Sequence, residues 1–112
     1  MKMKIKLSYE SLWLLHQLTR TVLEQMAYDY QDGLFLAVVE EIHMLTYRKL
    51  WEVRRLYKLS LSAAQAITLR MLIHMIPSPK TITYEYAELQ TIADQIHQKI
   101  CSHAHTRAHA AR

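Results

Sequence analysis

Five side chains near the C-terminus have the chemistry of metal ligands: His97, Cys101, His103, His105 and His109. On a helix His97 and Cys101 stand at i and i+4 and share a face, as His105 and His109 do, with Asp94 three residues before His97 on the same flank. Imidazole nitrogen, thiolate sulfur and carboxylate oxygen are donors that Zn²⁺ accepts tetrahedrally. A resident ion also needs its ligands fixed by contacts behind them, and much of this set falls in an alanine-rich tail that offers no core residue. The expectation is no cofactor, with His97, Cys101, His105 and His109 taking up Zn or Ni only adventitiously. A Cys101–His97 nucleophile pair has the right spacing but no oxyanion donors or orienting loop around it.

A second constellation is electrostatic. Arg48, Lys49, Arg54, Arg55 and Lys58 set five positive charges against Glu52, and Tyr47, Trp51, Arg54 and Lys58 fall at i, i+4, i+7 and i+11, a single stripe if the segment is helical. Interleaved aromatic and basic groups can hold phosphates and stack on bases. Arg48, Lys49, Trp51, Arg54, Arg55 and Lys58 are therefore a candidate face for nucleic acid or an acidic partner. A purely structural role competes with it: Glu40 and Glu41 near the helix start and the cations near its end complement the helix dipole, and Glu52 is spaced to pair with Arg48 and Arg55.

Enzyme chemistry finds little to work with. The chain has one glycine in 112 residues, which excludes the Gly-rich phosphate cradle, the dinucleotide-binding turn and the nucleophile elbow. A di-iron carboxylate site needs paired Glu-x-x-His motifs, and Glu40 with His43 supplies a single copy. His16, His43 and His74, each alone on its helix, read as satisfied core or helix-face histidines. Cys101 has no disulfide partner.

The elements that must position these groups follow from the apolar period. Four helices are expected: Ser8 to Tyr30, Leu34 to Tyr57, a third capped by Ser62-Ala-Ala-Gln65 and ending before Pro77, and Tyr84 to Ser102. Asp32-Gly33 marks the first stop, with Gly33 as a left-handed residue after the helix end. Three short stretches alternate with period two: Lys2 to Leu7, Tyr57 to Leu61, and Lys80 to Tyr84. Each runs into a Ser or Thr ahead of a helix, a weak hint of repetition. The fold class is mainly α, a four-helix up-and-down bundle, to which the N-terminus and residues 80–86 can add a short β-ribbon. Residues 1–103 form the single domain and 104–112 a weakly ordered His/Ala-rich tail.

The third helix is the physical oddity. Its Ala, Ile, Leu and Met residues point in every direction, and a helix apolar all round must be covered all round. The cover is either the chain's own ribbon and helices wrapped around a central helix or a second copy; the second copy is the expectation, with Ile67, Leu69, Met71, Ile73 and Ile76 as the interface and a two-fold homodimer as the commonest closed form. A helix-turn-helix built on the same helix fails, since Gln65, Thr68, Arg70 and His74 are too few polar groups to read bases and hold phosphates. No apolar run is long enough to span a membrane, and a cytoplasmic location is expected. The functional expectation is a non-enzymatic assembly module that homo-oligomerises, or else a small nucleic-acid-binding or regulatory protein that uses the basic segment. The net charge of +4 is compatible with either.

Overall fold

The computed structural model describes residues 2–26, 33–77, 79–81 and 83–110, with the side chains of all these except Met26 and residues 103–110. The elements are β1 (Lys2–Leu7), α1 (Tyr9–Met26), α2 (Gly33–Leu50), β2 (Tyr57–Ser62), α3 (Ala63–His74) and α4 (Tyr84–Ala110). The chain is mainly helical, with four helices and one short antiparallel ribbon among the described residues, as its apolar periods require.

The ribbon's second strand is Tyr57–Ser62, in place of the expected residues 80–86. Both segments alternate, but Tyr84 and Tyr86 are taken into the first turns of α4, whereas Tyr57, Leu59 and Leu61 supply three consecutive inward apolar positions against Met3, Ile5 and Leu7. The same strand cuts α2 short. That helix ends at Leu50 rather than Tyr57. Its ladder tightens into Trp51 N–H to Arg48 C=O (3.3 Å) and Glu52 N–H to Lys49 C=O (3.0 Å). The buried Tyr57 then ties the turn down: its hydroxyl donates to the Glu52 carbonyl (2.5 Å) and accepts from the Arg54 N–H (3.3 Å). Gly33 opens α2 and takes no positive φ. Asp32, the other half of the expected stop, lies outside the described residues.

Three helices start on hydroxyl caps. Ser8 Oγ accepts from Ser11 N–H (3.2 Å), Thr83 Oγ1 from Tyr86 N–H (3.2 Å), and Ser62 forms the full capping box with Gln65. Each satisfies a backbone donor that the helix leaves free. α4 continues as helix through the backbone of residues 103–110.

The two halves of the chain repeat. A shift of 54 residues carries Met3 to Tyr57, Ile5 to Leu59, Leu7 to Leu61 and the cap Ser8 to the cap Ser62. The register pairs Ile5 with Leu59, Met3 with Leu61 and Leu7 with Tyr57, so the ribbon is two-fold symmetric about the Ile5–Leu59 pair. Each half is a strand and two helices, and the halves exchange cover: α4 packs on β1, and α2 packs on β2. Ile5, Leu12, Leu15, Leu59, Leu69 and Ile96 meet in one buried cluster beneath the ribbon. Among the described residues no helix is long and apolar enough to cross a membrane.

Candidate functional site

Pleating sends alternate side chains of a strand to opposite faces. β1 buries Met3, Ile5 and Leu7, so Lys2, Lys4 and Lys6 stand on the outer face, and β2 adds Lys58 to it. Lys6 pairs directly with Lys58, Lys4 with Ser60 and Lys2 with Ser62. Like charges opposite one another weaken a ribbon. Among the described residues none of the four lysines has an ion-pair partner; the ion pairs are Arg20–Glu24 and Arg54–Glu52. The Gln95 carboxamide fixes the backbone beneath this face, accepting from Lys6 N–H (3.2 Å) and donating to Lys6 C=O (3.1 Å). That bond pair also closes part of the open edge of β1.

The basic residues singled out by spacing fall on three kinds of structure. Arg48 and Lys49 end α2, Trp51, Arg54 and Arg55 lie in the connection, and Lys58 is on the strand. They do not form one helical stripe, because the helix stops before most of them. The connection is exposed all the same, with Trp51 at 75% and Val53 fully open. Tyr47 stands edge-on to Trp51, ring centres 6.0 Å apart. Arg54 Nε pairs with Glu52 Oε2 at 2.9 Å. Eight of the fourteen Lys and Arg residues lie within 2–6 and 48–58 against one carboxylate, Glu52; with +4 overall, the rest of the chain is left at −3. The ribbon joins these two segments, which concentrates the basic charge. Spacing alone missed Lys2, Lys4 and Lys6 as site residues, although their alternation is the signal that finds them.

His16 and His43, each the single histidine of its helix and each hydrogen-bonded, meet one another between helices. Their rings stack at 4.3 Å and 16° across the α1–α2 seam. His16 Nδ1 lies 3.1 Å from Thr46 Oγ1, and His43 Nδ1 lies 2.9 Å from Thr19 Oγ1. The Thr46 hydroxyl donates to the His43 carbonyl (2.8 Å), and the Thr19 hydroxyl to the carbonyls of Leu15 and His16 (3.1 and 3.0 Å). With each hydroxyl proton so placed, each threonine oxygen is left to accept from the imidazole Nδ1 that faces it. The signal is a repeated His-x-x-Thr, His16-Gln-Leu-Thr19 and His43-Met-Leu-Thr46. Burial lowers the His16 pKa, and the neighbouring His43 and Arg20 lower it further.

Of the C-terminal ligand set, His97 and Cys101 are exposed on α4, with Cys101 Sγ 3.6 Å from His97 Nε2. The side chains of His103, His105 and His109 lie outside the described residues. Among the described residues no three His, Cys, Asp or Glu side chains converge as a metal site. On α3, Leu69 and Ile73 are fully buried in the chain's own core, and Ile76, two residues past the helix end, is half-buried against it. Neither Leu69 nor Ile73 is available to a second copy. Ile67 and Met71, about half exposed, are.

Comparison with protein-family models, curated proteins and solved structures finds no match. The geometry is that of a repeated strand-helix-helix domain with a lysine-faced ribbon.

Proposed function

We propose that the chain is a non-enzymatic binding module for duplex nucleic acid, with the outer face of the ribbon as its contact surface. One observation carries this reading: Lys2, Lys4, Lys6 and Lys58 share an open face without a counter-ion among the described residues, at a cost to the ribbon's own stability. A polyanion repays that cost. The major groove, about 12 Å wide, admits a two-stranded antiparallel ribbon, and its phosphates and guanine acceptors suit lysine amines. Arg54 and Arg55 extend the cationic track along the chain, and Trp51 offers an exposed ring beside it.

The test is the binding of a random-sequence DNA duplex as a function of salt, read by fluorescence anisotropy. Four to six phosphate contacts give a log–log slope of about −4 to −5. Lys4→Ala and Lys6→Ala should each flatten that slope by about one. Absence of binding at low ionic strength, or a slope unchanged when all four lysines are removed, overturns the reading.

A further inference from the structure

The outer side of α3 has a shape of its own. Ala63 and Ala64 are exposed in its first turn, and Ile67, Met71 and Met75, at 48, 50 and 61% exposure, continue the same side at successive helical turns. Small residues thus occupy one end and large, adaptable ones the other. The large end borders an open groove of about 380 Å³ lined by Ile67, Arg70, Met71, His74, Met75 and Ile100. Within it Arg70 Nε is shielded from solvent and has no hydrogen-bond partner, and no carboxylate pairs with Arg70 among the described residues. The small end has the opposite charge. Glu40 and Glu41 outnumber Arg48 in the neighbouring groove between α2 and α3, where Glu41 accepts a hydrogen bond from Gln65 in the first turn of α3 (3.2 Å).

We propose that this face binds a second copy of the chain, α3 against α3 in antiparallel two-fold pairing. An antiparallel pair lays the C-terminal end of each α3 over the N-terminal end of the other. Ile67 sits near the axis, Met71 of one copy meets Ala63 and Ala64 of its partner, Met75 extends past the partner's first turn, and the partner's Glu40 and Glu41 approach Arg70 and His74. Shape and charge are both self-complementary in that arrangement, and in parallel pairing neither is, since large would meet large and cation would meet cation.

The charges supply a test that a general loss of folding cannot imitate. Arg70→Glu puts carboxylates against Glu40 and Glu41, and Glu40→Lys with Glu41→Lys puts amines against Arg70. Each variant alone should be monomeric by light scattering, where the wild type has twice the 13.3 kDa chain mass. An equimolar mixture of the two should recover the dimer, because both contacts are then between opposite charges. Met71→Glu, at an exposed position, should give a monomer with an unchanged helical circular dichroism spectrum. A wild-type monomer at high concentration overturns the proposal, as does a dimer indifferent to these substitutions or a mixture that stays monomeric.

Discussion

Burial between α1 and α2 holds the His16 imidazole below its ordinary pKa of 6.5, with His43 and Arg20 adding to the depression. The sign of the resulting pH dependence follows. Between the folded and unfolded values the unfolded chain keeps a proton that the folded chain has released, so stability rises with pH in that window. His16 therefore contributes its full share above 6.5 and loses it as the pH falls toward the folded value. Urea midpoints from about pH 8 to about pH 5 should decline below the ordinary histidine range. His16→Gln, which cannot titrate, should decline less. Equal slopes in the two proteins would show that the stacked pair is indifferent to protonation. At this scale the sequence was informative about satisfaction and silent about partnership: a lone histidine among apolar neighbours implies a hydrogen bond, but Thr19 and Thr46 become its partners only when α1 and α2 lie side by side.

The ribbon sets a local cost against a proposed use. Lys6 and Lys58 face each other at its end, and a like-charged cross-strand pair is destabilising. Lys58→Glu replaces the repulsion with an attraction, so the melting temperature should rise by a few degrees while duplex binding weakens. Opposite signs in the two measurements would mark a surface kept charged for a ligand. A fall in both would show that Lys58 stabilises the strand by some other contact. How legible each element was depends on how local its cause is. Ser62-Ala-Ala-Gln65 encodes a cap within four residues, and it forms as written. The end of α2 has no such mark: Trp51-Glu-Val-Arg-Arg-Leu56 holds neither Gly nor Pro, and the helix stops there because Tyr57, Leu59 and Leu61 are needed on the ribbon. Pairing between residues 50 to 60 apart cannot be read from a period. The candidate site shared that difficulty, since its lysines come from both strands and meet only in the folded ribbon.

For the whole molecule the decisive feature is the exchange of cover between halves. β1 is roofed by α4 and β2 by α2, and the strands themselves pair across the halves. A half on its own would leave the apolar face of its strand and one side of each helix in water, more than a unit of about 56 residues can tolerate. Self-pairing of the first half is opposed as well: a second copy of β1 in the place of β2, in the same two-fold register, would set Lys4 against Lys6 on both sides of the central Ile5 pair. The second half, with Ser60 where the first has Lys6, carries one ribbon lysine where the first carries three. The two halves are thus complements rather than copies. Residues 1–56 and 57–112 expressed separately should each lack a cooperative thermal transition, and mixing them should restore the helical spectrum and a one-to-one complex. Independent folding of residues 1–56 as a monomer would place the stabilising contacts within the half and remove the reason for the symmetry of the ribbon. Failure to reassemble would instead make the exposed connection Trp51–Leu56, severed next to Tyr57, a necessary covalent link, since the Tyr57 hydroxyl anchors it at Glu52 and Arg54.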